Sequence, residues 1–440
     1  MTQRSITRRR FVQTSAAAAA LAANPLWLAG RARGQESKNE RPLVGSIGLG
    51  GQGTGIARRA SVYGDVVAVC DVHRQHAERA KQEHFAKADV FEDYRKLLER
   101  SDIEAVTIGT PDHWHTEIAL AALEAGKHVY CEKPLTLTID EGKQLVAAVK
   151  KTGKVMQVGT QQRGDQFALF GRAVATVRSG QLGKIKKVTV HLPLSTEEGG
   201  PFAAQPVPEG LNWDMWLGQA PVAEYCPERS HFRFRWWYEY SGGICTDWGA
   251  HHMDVAQWAL DVENSGPLTI DGTKTALPSI PGGFNTPKLV TVDYQYPGDV
   301  HVQLLAQPPG DEGVTFEGEN GRIFVNRGRI TGKPIEDQDA DPATKEKIMA
   351  AVEALYKGNT AKMGDHMGNF FEAWKFGKWP ISDVASQHRS VSACHLANIS
   401  IRLRRKLSWD AAKEEFVGDS EANSMLTRAQ REPYRVRSVG

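Results

Sequence analysis

Cysteine is scarce in this chain of 440 residues: there are five, an odd number, at Cys70, Cys131, Cys226, Cys245 and Cys394. No CxxC pair or Cys–His cluster occurs, which excludes a disulfide framework and a structural zinc knot. Long apolar runs are missing too. The most apolar stretch, Ser15 to Leu28, is interrupted by Asn24-Pro25 and is too short to span a bilayer. Neither sign of charge is in excess. Six of the 54 Lys and Arg residues fall within residues 1–34, which hold no acid, so 48 basic face 52 acidic residues beyond them, a net −4. Such a body has no electrostatic footprint for nucleic acid. What is present, 41% hydrophobic and 24% charged residues, is the composition of a folded chain, and the length fits two or three domains.

The N-terminus reads as a sorting signal. Arg8-Arg9-Arg10-Phe11 precedes the Ala-rich stretch, and small residues at Ala29-Gly30 and Ala32-Arg33-Gly34 offer cleavage sites. The arginine pair followed by Phe resembles a twin-arginine export signal, whose machinery carries folded proteins. We therefore expect a signal over residues 1–34, a linker over 35–41, and a periplasmic or otherwise exported protein with no membrane attachment after signal removal. A protein folded before export has no need of disulfides, and Cys70 and Cys131, each ending an apolar β-rich run, read as buried strand residues.

Residues 42–160 alternate strand and helix. The runs Leu43–Ile47, Val66–Cys70, Ala105–Ile108, His128–Cys131 and Val155–Val158 are rich in β-branched residues, and helical patterns separate them. That alternation predicts βαβ units and a parallel sheet. Gly48-Leu49-Gly50-Gly51-Gln52-Gly53 falls in the first βα turn, where glycines at 48, 50 and 53 let the backbone approach a pyrophosphate at a helix N-terminus. Asp71, 18 residues beyond Gly53, stands where a carboxylate accepts hydrogen bonds from ribose hydroxyls. A carboxylate there repels a 2′-phosphate, so NAD is the expected cofactor. Arg74 keeps NADP as the lesser alternative.

Two further strand ends border the same crevice. One is Thr110-Pro111, followed by His113 and His115. The other is Glu132-Lys133-Pro134, where the proline restricts the chain. Together with Gly48–Gly53 and Asp71, these motifs resemble the nucleotide domain of the Gfo/Idh/MocA oxidoreductases. The resemblance extends from about Leu43 to about Lys406. It implies an α/β fold: a Rossmann dinucleotide-binding domain over 42–160, and an α+β domain over 161–406 whose large, mostly antiparallel open sheet also forms a subunit interface in a homodimer or homotetramer. Residues 407–440 read as a C-terminal tail.

The second half supports that expectation. Extended runs recur at Lys186–Leu192, Leu268–Lys274, Leu289–Tyr296, Val300–Ala306, Gly313–Glu317 and Arg322–Val325, and Pro297-Gly298-Asp299 and Asn320-Gly321 read as hairpin turns. The segment Ser241-Gly242-Gly243 to Asp254 predicts a helix beginning near Thr246 or Asp247. Asp247 and His251 are then i and i+4 on one face, Asp254 continues the stripe, and His252 points about 100° away. A carboxylate beside an imidazole suits a general base, and a lysine suits a developing alkoxide. In the family these roles belong to the lysine of the Glu-Lys-Pro motif and to the Asp and His of this helix. The resemblance thus implies Lys133, Asp247 and His251 as the catalytic group.

Gln161 is a candidate cofactor contact by its place after the last strand of the first half. Arg163 and His252, with Trp236 and Trp237 of the aromatic–arginine run His231–Tyr238, are the candidate substrate contacts. That run reads equally as a strand with its rings in the core. His388, Arg389 and His395 read as packing residues. Convergence of Asp247, His251, His113 and His115 on a metal has no supporting spacing, so no metal is expected. The leading reading is an exported oxidoreductase acting on a hydroxyl of a sugar, cyclitol or glycoside, with hydride transfer to tightly bound NAD. An NAD-dependent glycoside hydrolase working by transient oxidation and elimination is the alternative, and a non-catalytic sensor is the third.

Overall fold

The computed structural model describes residues 41–308, 312–356, 358 and 364–438. The expected signal over 1–34, and the linker apart from Arg41, lie outside them. Among the described residues no helix is long and apolar enough to cross a membrane.

The β-branched runs of the first half form β1 (Leu43–Ile47), β2 (Asp65–Cys70), β4 (Ala105–Ile108), β5 (His128–Cys131) and β6 (Met156–Val158). A strand absent from the sequence reading, β3 (Asp89–Phe91), and a short helix, Tyr94–Leu98, complete the unit; both are too short to carry a periodicity. All neighbours are parallel, in the order β3-β2-β1-β4-β5-β6. The order reverses between β1 and β4, so a crevice opens beyond the carboxyl ends of those strands. Helices Gly51–Ala60 and Asp112–Glu124 start at its rim.

The second sheet has nine strands: β7 (Ile185–His191), β8 (Thr269–Asp271), β9 (Val290–Tyr296), β10 (Val300–Ala306), β11 (Gly313–Gly318), β12 (Gly321–Val325), β13 (Ile330–Thr331), β14 (Leu407–Asp410) and β15 (Glu415–Phe416). Their order is β13-β12-β11-β7-β10-β9-β8-β14-β15, antiparallel throughout except for the β7–β10 pair. The turn between β9 and β10 is Pro297-Gly298-Asp299, with Gly298 and Asp299 at φ +77° and +66°. Alternation along β9 buries Val290, Val292, Tyr294 and Tyr296 on one face. Helices Phe167–Arg178, Gly249–Ala259 and Val384–Leu403 cover that face, and each fully buried aliphatic or aromatic side chain there stabilises the fold by about 1.5–3 kcal/mol.

Residues beyond Lys406 are part of this fold instead of a tail. β14 and β15 extend the sheet, and the chain then returns to the nucleotide domain. There Arg437 pairs with Glu117 and Glu124, and Tyr434 packs edge-on against Trp114. The sequence signal was weak because the strands are two and four residues long. The five cysteines are buried and unpaired.

Candidate active site

A cleft of about 700 Å³ runs from the glycine turn after β1 across to the second domain. Its floor depends on glycine. Gly48 has φ +81°, and a Cβ there would lie 2.6 Å from the Thr110 nitrogen; a Cβ on Gly53 would lie 1.7 Å from the Gly48 oxygen. Gly50 and Gly51 face open space, leaving the N-terminus of helix Gly51–Ala60 approachable by a diphosphate. A Gly53→Ala variant has to displace backbone, so we expect NAD to bind at least about tenfold more weakly, as measured by fluorescence titration.

Asp71 lies at the end of β2. It accepts hydrogen bonds from the Leu49 nitrogen at 2.6 Å and the His73 nitrogen at 2.8 Å, which tie the glycine turn to the ribose position. Arg74, by contrast, points outward to Glu78 and does not line the cleft, because the helix start turns it to solvent. Thr110 and Pro111 line the cleft. His115 does not touch it. Its ring nitrogens engage the Pro134 and Thr110 carbonyls at 2.7 and 2.9 Å, so it positions both strand ends from beneath. Glu132 lines the cleft, where its Oε1 accepts from Gln52 at 3.1 Å and Gln161 at 2.9 Å. Burial pushes the Glu132 carboxyl up.

Lys133, at a cis Lys133–Pro134 peptide, reaches the glycine-pair segment of the second domain. Its Nζ donates to the Asp247 carbonyl at 2.9 Å and to Oδ1 at 2.6 Å. Arg235 Nε donates to the same Oδ1 at 3.2 Å. Burial acts to raise the Asp247 carboxyl, but the two cations outweigh it and hold the group below its ordinary value.

The expected single helix is broken here. Ile244–Asp247 ends at Trp248 and a second helix, Gly249–Ala259, begins. Asp247 therefore spends its carboxylate on Lys133 and Arg235, while His251 stands alone with a buried Nδ1 that has no partner. Burial first, and then the charge of Lys133, hold the His251 imidazolium well below its ordinary pKa. The sequence reading, a carboxylate favouring the imidazolium, is thus corrected: His251 lines the cleft as a neutral imidazole that no carboxylate partners. Asp254 does not continue a catalytic stripe, since it is fully buried on Arg163.

The substrate candidates fall away from the cleft. Arg163 is wholly buried, bonding Asp254 through Nε and Nη2 at 2.7 Å each and Glu263 through Nη1 at 2.7 Å, beneath the Trp258 ring. Its role is structural. Arg163→Met leaves the buried Asp254 carboxylate without its cation, while the half-buried Glu263 keeps Arg178, and we expect it to cost about 3–5 kcal/mol, read as a fall in melting temperature. His252 is buried between Glu312 and Gln162. Trp236 and Trp237 pack into an aromatic core, Trp237 under the Arg229 guanidinium. The segment His231–Trp236 is a 3-10 helix, so its side chains do not alternate as a strand's would; Phe232, Phe234 and Arg235 face the cleft instead.

Sequence reasoning also missed Arg327, which lies over the Trp248 ring at 4.5 Å and lines the cleft from the loop after β12. Asp112 was missed as well. It is buried at the start of its helix, accepts from Ser241 Oγ, and is pushed up to about 7 by burial. Neither carries a motif. His113 turns away to the Trp216 carbonyl, so the four-residue metal convergence does not form. His388 and His395 pack against Glu414 and the Thr136 carbonyl, as expected of packing residues.

Comparison with known proteins bears on the fold and the cofactor. Residues 43–160 match the oxidoreductase family with an NAD-binding Rossmann fold, and residues 198–436 match that family's C-terminal alpha/beta domain. Inositol 2-dehydrogenase of Salmonella typhimurium (strain LT2) is 34% identical over 279 residues, 60% of this chain and 71% of that protein. Two solved structures share the fold. WlbA dehydrogenase from Bordetella pertussis, in complex with NADH and UDP-GlcNAcA, has a TM-score of 0.61 at 18% identity, covering 85% of this chain and 99% of that one. Levoglucosan dehydrogenase, in complex with NADH and levoglucosan, has a TM-score of 0.61 at 20% identity, covering 83% and 99%. The chain belongs to the Gfo/Idh/MocA oxidoreductase family, with an NAD-binding Rossmann domain followed by the family's C-terminal α/β domain.

Proposed function

We propose that the chain is an exported dehydrogenase that oxidises a hydroxyl-bearing carbon of a sugar, cyclitol or glycoside. The observation that carries this reading is the meeting, in one cleft, of the glycine turn with Lys133 and the free imidazole of His251. Oxidation of a CH–OH carbon releases a proton from oxygen and a hydride from carbon. Bound NAD supplies the hydride acceptor. Neutral His251 accepts the hydroxyl proton, and the Lys133 ammonium, held by Asp247, stabilises negative charge on the departing-proton oxygen. Relatives named for inositol and levoglucosan support a polyhydroxylated substrate. The arginine pair before an Ala-rich stretch supports export after folding, and with it a cofactor loaded beforehand and kept. The half-exposed face of the nine-stranded sheet supports assembly as a dimer or tetramer.

The test is to denature the purified protein, identify released nucleotide by mass and absorbance, and then assay polyols, pyranosides and anhydrosugars with added NAD. We expect NAD or NADH near one per chain, and NADH formation with one of these classes. Release of a chromophoric aglycone without net NADH would establish the hydrolytic alternative. Neither nucleotide nor NADH formation would refute both.

A further inference from the structure

Three histidines that the dehydrogenase reading leaves unused meet at the Asp71 end of the cleft. His73 follows β2 and N-caps helix Arg74–His84, His76 lies one turn on, and His231 comes from the second domain. One ring nitrogen from each lies within 4.8 Å of the others, with ring centroids 4.4, 5.5 and 5.8 Å apart. Both ring nitrogens of His73 are buried without a hydrogen-bond partner. A half-buried imidazole whose two nitrogens are both shut from solvent and unsatisfied is an anomaly that calls for a ligand.

We propose that His73, His76 and His231 form a three-histidine site for a divalent transition-metal cation of the zinc class. Imidazole nitrogens about 2.0–2.1 Å from zinc stand roughly 3.4 Å apart in a tetrahedron, so the observed spread closes by small side-chain rotations. Three protein ligands leave a fourth position open to the cleft. The Asp71 carboxylate lies 3.5 Å from His76 Nδ1, where a second-layer carboxylate orients a metal-bound imidazole through its other nitrogen. The loop is also held in place from the second domain. Arg74 N donates to the Gly210 carbonyl and Asn212 N to the Val72 carbonyl, each at 2.9 Å. His231 adopts φ +51°, an uncommon conformation for a residue other than glycine.

The bound cation would tie the nucleotide domain to the segment that carries Arg235, next to the carboxylate expected to hold the ribose. Metal and dinucleotide affinities would then be linked, each changing the other by one factor. The sequence reading missed the site because His231 lies far from the other two along the chain.

The experiment is a Co²⁺ titration of the tag-free protein after chelator treatment, followed by Zn²⁺ displacement. We expect one Co²⁺ per chain, with the visible absorption of nitrogen coordination, lost on adding Zn²⁺. His73→Ala and His231→Ala should each abolish saturable binding, whereas His84→Ala, on the same helix, should retain it. Zn²⁺ should raise the melting temperature of the parent and of His84→Ala, and leave the other two unchanged. His231 is exposed, so its variant decides the matter even if His73→Ala misfolds. Absence of saturable binding by the parent, or binding that survives the His231 substitution, overturns the site. Neither result bears on the dehydrogenase reading, which NADH formation tests separately.

Discussion

His251→Asn lowers kcat by about 10²–10⁴-fold while leaving nucleotide content and melting temperature close to those of the parent. Each half of that expectation has a structural ground. The imidazole lines the cleft, its buried Nδ1 has no partner in the protein, and burial together with Lys133 keeps the ring neutral, so the ring is in the state that accepts a substrate proton. Because that nitrogen bonds nothing in the protein, its removal breaks no internal hydrogen bond. The residue also lies on helix Gly249–Ala259, apart from the glycine turn that holds the diphosphate. Asp247 cannot take over as base, since Lys133 and Arg235 hold its carboxyl below the usual range. Steady-state kinetics, nucleotide release and thermal unfolding on one preparation test all three points. A loss of less than tenfold in kcat would place the base elsewhere.

Where the sequence was legible, a local physical constraint made it so. Glycines at 48 and 53 are demanded by backbone contacts closer than any Cβ permits, and that steric demand is visible as a fingerprint. The extended runs Leu289–Tyr296 and Val300–Ala306, separated by the turn Pro297-Gly298-Asp299, were legible as a hairpin, and both strands formed there. What failed was inference about orientation across distance. Arg163 and His252 stood at plausible positions, but an arginine with two acidic partners and a histidine with one fold inward, and those partners are 60 to 100 residues away in sequence. Asp247 and His251 both line the cleft but do not form the expected pair, because the helix break at Trp248 and the arrival of Lys133 from the other domain are tertiary events. Arg235 was hidden for the same reason. A run of aromatics and arginines has no periodicity that distinguishes a strand from a 3-10 helix, and only the helix turns Arg235 toward Asp247.

Lys133→Met separates two roles for the lysine by its pH profile. Methionine keeps much of the stem and removes the charge, so stabilisation of the developing alkoxide is lost and kcat should fall by about 10²–10³-fold. The same charge, after burial, is the largest influence holding the His251 imidazolium below its ordinary pKa. Removing a nearby positive charge relieves repulsion of the protonated ring, so the pKa of His251 rises. The base must be neutral to accept a proton, and activity is lost as pH falls through that pKa. The acid limb of kcat should therefore move to higher pH in the variant. Arg327 also faces His251 and remains, as do the neighbouring His252 and His366, so the movement is partial and burial keeps the group below its ordinary value. A His251 imidazole held neutral by burial alone would give a different result: kcat would drop by one factor at every pH and the limb would stay in place, with Arg235 still holding the Asp247 carboxylate. The pH profile thus decides whether the ammonium acts on the base, while the fall in kcat on the plateau reports the remainder of its contribution.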